Sequence, residues 1–374
     1  MIVAIQYQIF FDFLRFSISS DSVPPSSLKE ADWNELYAIA NKQCLLGVLF
    51  DGIERLPADS GISKELLYKW MGQCRMLEKV NAQLNDAAVN VAEWFRKKGF
   101  RTCLLKGQGN ALLYPNGSHR TPGDIDIWVE GGDKKVISFV RTILPNGKAC
   151  YHHIDFPSYN GVEVEVHYRP SFLICFWHNR RLQKYYERVK DEQFSHKVML
   201  EGYGELAVPT AEFNIIFQLT HIFAHLMNEG IGLRQLLDYY FVLVKSDEGR
   251  VKNLAALQKE LKHLGLWKFA GAVMYIMKEV FGMPESKLIV APNEKYGKFV
   301  LNEIIEAGNF GTYDKRNRFG HSELGHNIQR IYRDIRLMSY FPAEALSEPI
   351  FRVWHFFWRM KYKMLNSKEK NEKS

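Results

Sequence analysis

The chain has 374 residues, 47% hydrophobic and 24% charged, with a net charge of +7. That is the composition of an ordinary soluble protein, long enough for two or three packed units around substantial cores. The basic excess is local: residues 351–374 hold seven Lys/Arg against two Glu, so the rest of the chain is near neutral. A nucleic-acid-wrapping domain shows a broader basic face, which argues against duplex nucleic acid as a partner.

No apolar run reaches the roughly 18 residues a transmembrane helix needs. The start, MIVAIQYQIFFDFLRF, has no basic leading segment, carries Asp12 and Arg15, and lacks a small-residue cleavage site, so no signal peptide is expected. Five scattered cysteines (Cys44, Cys74, Cys103, Cys150, Cys175) without a CxxC suit a reducing cytoplasm and argue against a disulfide framework or a zinc ribbon.

Residues 1–75 read as a helical lead-in, with a helix from Trp33 to Leu49 capped by Asp32. Val80, Leu84, Ala88, Val91 and Phe95 form one apolar stripe that ends at Lys97-Lys98-Gly99, a basic last turn followed by a glycine stop. A strand over 100–105 then delivers Lys106-Gly107-Gln108-Gly109 to a turn before a short helix at Asn110–Tyr114. Such a turn offers backbone N–H groups to an anion, or is simply a strand-to-helix connection.

The stretch that organises the chain is Asp124-Ile125-Asp126-Ile127. Strict alternation makes it a half-buried strand, so both aspartates project from one face while the isoleucines enter a core. Two adjacent carboxylates repel, and a divalent cation between them removes that cost. A second alternating strand, Val162 to Tyr168, puts Glu163, Glu165 and His167 on one face. If it pairs with the first, a third acid completes a hard oxygen cluster of the kind Mg²⁺ prefers, and two such ions serve phosphoryl chemistry. Glu163 and Glu165 point the same way; His167 either lines the pocket or orients Glu165. Arg120 either reaches a phosphate or the acids, or is a structural partner of Asp126.

Lys134–Leu144 reads as a helix on the sheet, His196–Leu200 as a strand, and Thr210 opens a long helix. One stripe of that helix is apolar; the other is Asn214, Gln218, His221, His225 and Asn228, polar but uncharged, which suits a cleft wall. His221-x-x-x-His225 lacks the glutamate of a zinc-protease motif. Arg234 and Asp238, four apart on the next helix, form either a plain salt bridge or place Arg234 near phosphates. Residues 251–285 read as further amphipathic helix, and the Gly308–Gly311 and Arg316–Gly320 stretches as structured loop. The aromatic and basic end, Trp354 to Lys363, packs its aromatics inward or rests on an anionic membrane. Residues 366–374 read as a disordered tail, and no internal repeat or heptad pattern is evident.

The order of lysine-glycine turn, helix, arginine, Gly-Asp-x-Asp strand and acid-hydrophobic-His strand resembles the polymerase-β-type nucleotidyltransferase superfamily. It is closer still to an uncharacterised bacterial nucleotidyltransferase family found beside polysaccharide loci, over roughly residues 75–245. The resemblance implies an α+β fold: a small mixed β-sheet core (76–205), a helical lead-in (1–75), a helical unit forming the far wall of the cleft (206–290) and a C-terminal helical extension (291–365). It implies transfer of a nucleoside monophosphate from an NTP such as ATP, with two Mg²⁺ ions, to an unidentified acceptor, polysaccharide-related or protein. Asp124, Asp126 and Glu165 would then be catalytic and metal-binding, and Lys106, Gly107, Gly109, Arg120 and Arg234 would hold the nucleotide. Glu163, His167, Gln218, His221 and His225 would line the cleft. The superfamily's usual Gly-Gly or Gly-Ser turn is replaced here by Lys106-Gly107-Gln108-Gly109. Two rivals are a sugar-nucleotide glycosyltransferase using Asp-x-Asp, which lacks the upstream βαβ half, and a non-catalytic, antitoxin-type scaffold, against which all three acids are retained.

Overall fold

A computed structural model describes residues 5–20, 22–246, 253–316 and 323–371. The helical lead-in comprises α1 (Ile5–Ile18), α2 (Trp33–Lys42) and α3 (Leu46–Ile53). Asp32 caps α2 by accepting from the Asn34 and Glu35 amides at 2.9 and 3.1 Å. The single helix expected over 33–49 is broken at Cys44, which adopts φ +55°. The break serves Gln43, whose buried amide donates to Ile304 O and accepts from Leu233 N, tying the lead-in to two later helices.

Helix α4 (Lys64–Lys97) begins at the Ser63 cap and runs unbroken across the boundary expected at residue 75, because it holds no proline and its one glycine, Gly72, is tolerated within the helix. Then follow β1 (Thr102–Leu104), α5 (Gln108–Ala111), β2 (Ile125–Val129), α6 (Gly132–Arg141), β3 (His153–Tyr159), β4 (Val162–His167), α7 (Phe176–Ser195), β5 (Lys197–Leu200) and β6 (Gly204–Ala207). The helical remainder is α8 (Ala211–Asn228), α9 (Leu233–Ser246), α10 (Leu254–His263), α11 (Trp267–Glu279), α12 (Glu294–Ala307), α13 (Glu323–Met338) and α14 (Pro342–Asn371).

The fold is α+β. Four strands form a mixed sheet in the order β1-β2-β4-β3, and β5 and β6 form a separate hairpin. β2 and β4 run parallel with Asp126 opposite Glu165, and β3 pairs antiparallel to β4 with His153 opposite His167. Period-two alternation then sorts the sheet. Ile125, Ile127, Val164, Val166 and Ile154 pack on Leu84, Val91 and Phe95 of α4 and Val136 and Val140 of α6. The opposite face carries the acids and histidines, with Trp128 beside them packed on Phe194 at 4.6 Å between ring centres.

A second core runs from Ile9 in α1 through α8, α9 and α11 to Phe351 in α14, so the lead-in and both later helical regions share one interior. In the α13–α14 hairpin, Asp334 and Glu348 are buried and both face Arg352. Phe351, Trp354 and Trp358 turn toward Tyr151, while Ile350, Val353 and Phe357 stay more than 60% exposed. α14 continues to Asn371, so residues 366–371 are helical rather than the expected disordered tail; Lys368, Glu369 and Lys370 among them are good helix formers. Residues 372–374, like 317–320 of the expected Arg316–Gly320 loop, lie outside the described residues. Among the described residues no helix is long and apolar enough to cross a membrane.

Candidate active site

The parallel β2–β4 register assembles the site. It sets Glu165 beside Asp126, and with Asp124 just before the strand the three carboxylates offer oxygens within 4.8 Å of one another. Pairing ends at Ile125–Val164, so Glu163 lies past the paired segment and is exposed. Like His167 and His225, it is not among the residues that wall the cleft, where all three were expected; Gln218 and His221 are. The cleft is walled by Lys106, Gly107, Arg120, Asp124, Asp126, Gln218, His221, Arg234 and Phe310, among others.

Lys106 sits among the acids. Its Nζ is 3.0 Å from Asp126 Oδ2 and 3.1 Å from His221 Nε2. His167 is buried, with Nε2 2.9 Å from Asp126 Oδ1 and 3.4 Å from Glu165 Oε2. Burial would raise the Asp126 carboxyl, but Lys106 and His167 outweigh it and hold this group well below the usual carboxylate range. Asp124 moves the other way, pushed up first by the Asp126 charge and then by burial. Burial works against the His167 imidazolium, yet Asp126 and Glu165 push its pKa up to about 9. Burial, followed by Lys106, lowers His221 well below the ordinary histidine value.

Lys106 Nζ, 3.0 Å away, is the partner of Asp126 Oδ2, while Asp124 and Glu165 bring two further carboxylates within 4.8 Å of Asp126. Three carboxylates this close, with one lysine to offset them, fit a hard divalent cation.

Gly107 takes φ +61° with ψ −117°, a conformation that side chains rarely adopt, so glycine lets the turn pass under Asp124. Gly109 is a different case. Its N–H bonds to Lys106 O at 3.3 Å, and an added Cβ would lie 3.1 Å from Val208, so it is a packing residue rather than part of a phosphate cradle.

Arg120 is buried and gives Nε and Nη2 to the two oxygens of Asp238 at 2.8 and 2.7 Å. It therefore pairs with neither Asp126 nor solvent. Of the two readings open for Arg234, the salt bridge with Asp238 does not form, because the forked geometry of Arg120 and the Tyr114 hydroxyl (2.6 Å) occupy the carboxylate. Arg234 is left in the cleft without an ion pair among the described residues, its pKa lowered by burial and by Arg120. Arg120 Nη1 is also buried without a partner.

The polar stripe of α8 divides. Asn214 and Gln218 both donate to Asn110 Oδ1, forming an internal network rather than an open wall, although Gln218 still borders the cleft. His221 borders the cleft. His225 stands behind it, with Nε2 3.0 Å from His221 and its other nitrogen on Glu229.

Sequence reasoning missed His152 and His153, Asp238 as the partner of Arg120, and Phe310 at the cleft rim. The alternation His153-Ile154-Asp155-Phe156 was a usable strand signal; nothing local marked the other two.

A mixed sheet that sets Asp124 and Asp126 in a cleft shared with Arg234, with Glu165 beside them, suits a nucleotidyltransferase. The chain belongs to the family described as uncharacterised nucleotidyltransferases, whose profile it matches over residues 29–282. It is also similar to the crystal structure of an antigenic nucleotidyltransferase-like protein from Paracoccidioides brasiliensis, at 14% identity and a TM-score of 0.30, over 48% of this chain and 86% of that one. No curated protein matches the chain.

Proposed function

We propose that the protein transfers a nucleoside monophosphate from an NTP to an acceptor group, releasing pyrophosphate. One observation carries the reading: Asp124 and Asp126 share one cleft with two guanidiniums, Arg234, which has no ion pair among the described residues, and Arg120, whose Nη1 has no partner. Negative charge on one side and cations on the other suit a metal-bound triphosphate.

In this reading Asp124, Asp126 and Glu165 hold Mg²⁺, two ions in the full site. The metal supplies charge neutralisation for the phosphates and for the attacking oxygen. Asp126 stays ionised throughout, Glu165 accepts the acceptor proton, and Arg234 and Arg120 orient the phosphates. Lys106, now bonded to Asp126, gains an alternative partner in the triphosphate. The acceptor is a glycan-related or protein group, and the five free thiols fit a reducing cytoplasm.

Thermal shifts with ATP, GTP, CTP and UTP, with and without Mg²⁺, test it. Saturation at a hundred times Kd adds about 2.7 kcal/mol. A Mg²⁺-dependent shift with an NTP, lost in Asp124→Asn, is expected. No shift with any NTP overturns the reading and favours a binding scaffold; a shift with UDP-sugars alone favours glycosyl transfer.

Contact of α14 with an anionic membrane is a separate part of the proposal, supported by exposed Ile350, Val353 and Phe357 near Arg359 and Lys361. Co-sedimentation with anionic vesicles, reduced in Phe357→Ser, is the expected result; recovery entirely in the supernatant excludes it.

A further inference from the structure

The acid cluster does not end at Glu165. Beyond it, β3 brings His153 against the same carboxylate, with Nδ1 3.0 Å from Glu165 Oε2, and the adjacent His152 places Nε2 3.1 Å from that same His153 nitrogen. His167 completes the group, and one ligand atom from each of His153, Glu165 and His167 lies within 4.8 Å of the others. Atoms bound to one ion at about 2.0–2.2 Å sit about 3–4 Å apart, which matches these spacings.

The tautomers point the same way. His167 Nδ1 lies 3.3 Å from the Arg169 carbonyl, which can only accept, so Nδ1 carries a proton. In a neutral ring, Nε2 then aims a lone pair at Asp126 Oδ1 and Glu165 Oε2, which are also lone-pair atoms. Something positive must lie between them: a proton on the ring, or a cation. A ligating histidine whose other nitrogen donates to a backbone carbonyl is the usual outer-shell arrangement of a metal site. His153 has a related shortage, since one hydrogen on Nδ1 cannot serve both Glu165 and His152.

We propose that His153, Glu165 and His167 form a second, nitrogen-rich metal site that takes a borderline divalent transition ion of the Zn²⁺ type. Glu165 bridges it to the oxygen-only end at Asp124 and Asp126. Two imidazoles and one carboxylate are poorly suited to Mg²⁺ and well suited to Zn²⁺ or Co²⁺. The two ends of the site thus differ in the ion they select. Metal binding here requires no nucleotide, so the inference stands apart from the nucleotidyl-transfer reading.

The test uses Co²⁺, whose visible d–d bands report nitrogen ligation and low coordination number. Metal-stripped full-length protein is titrated with Co²⁺ alone. We expect one equivalent to produce an intense visible band that persists in Asp124→Asn and is lost or strongly weakened in His153→Ala. His153→Gln, a smaller disturbance of the strand, should behave like His153→Ala, with far-ultraviolet circular dichroism confirming the fold. Only the weak spectrum of octahedral, oxygen-bound Co²⁺ in the wild type overturns the site. So does a band that survives both His153 variants. Because no NTP is present, the Co²⁺ result and the NTP shift can fail independently.

Discussion

Asp238 receives two hydrogen bonds from Arg120, one from Tyr114 and a longer one from Asn110 Nδ2, all in the interior between α5, α9 and the loop before β2. Asp238→Asn leaves a buried guanidinium without its counter-charge, and breaking such a pair costs about 3–5 kcal/mol. Chemical denaturation of the metal-free protein should show that loss; a change below about 1 kcal/mol would mean that water or Asn110 replaces the carboxylate. Asp124 behaves oppositely. Its pKa is raised in the fold, so its ionised form is unfavourable at neutral pH whenever no cation is bound. Asp124→Asn should therefore raise the melting temperature of the metal-free protein while removing the Mg²⁺- and NTP-dependent shift. Stability gained with ligand response lost is the mark of a residue kept for binding.

At the scale of elements, the turn before β2 is held by His119, which gives Nδ1 to Asp51 of α3 and Nε2 to Glu78 of α4 at 2.6 and 3.0 Å. Burial works against its charge, but the two acids prevail and its pKa is raised. The folded state thus holds a proton that the unfolded state releases near pH 6.5. The contribution is complete below that pH and disappears as pH climbs through the folded value. Denaturant titrations of wild type and His119→Gln should differ most at pH 5–6 and converge in alkaline buffer.

The rim loop makes another prediction. Phe310 is strained at φ +50° and partly exposed, 5.1 Å from the His225 ring. Gly311 has φ +67°, and an added Cβ would meet Glu229 O at 2.1 Å, so only glycine holds the loop in place. If the donor base stacks on this ring, Phe310→Ala should raise KM for the NTP about tenfold with little change in kcat, about 1.4 kcal/mol of stacking. An unchanged KM would assign the strain to packing alone. β2 and β4 were legible because alternation is a local property. β3 shows the same alternation over His153–Phe156 but is cut short by Pro157, and α7 is masked by charges spread around the helix. The Arg234–Asp238 pairing failed for a related reason: four-residue spacing is visible in sequence, whereas a competitor 118 residues earlier, Arg120, is not.

Across the whole molecule, the C-terminal hairpin is closed by two carboxylates around one arginine. Burial first, then Glu348, raises Asp334 to about 7, so the folded protein keeps a proton there that the unfolded chain loses near pH 4. Stability from this group therefore falls between pH 4 and 7, and Asp334→Asn should flatten that part of the wild-type profile. A steeper profile in the variant would contradict the assignment. The continuous interior from Ile9 to Phe351 has a consequence for heredity rather than chemistry. The family-matched stretch, residues 29–282, carries the acids and cations but excludes α1, α12, α13 and α14. Excised alone, it would bare the surfaces that Phe10, Phe13 and Val300 now cover, and should be recovered as insoluble aggregate. Recombination that moved this stretch between genes would therefore have to carry both flanks with it, and a duplication that trimmed either one would leave no folded descendant.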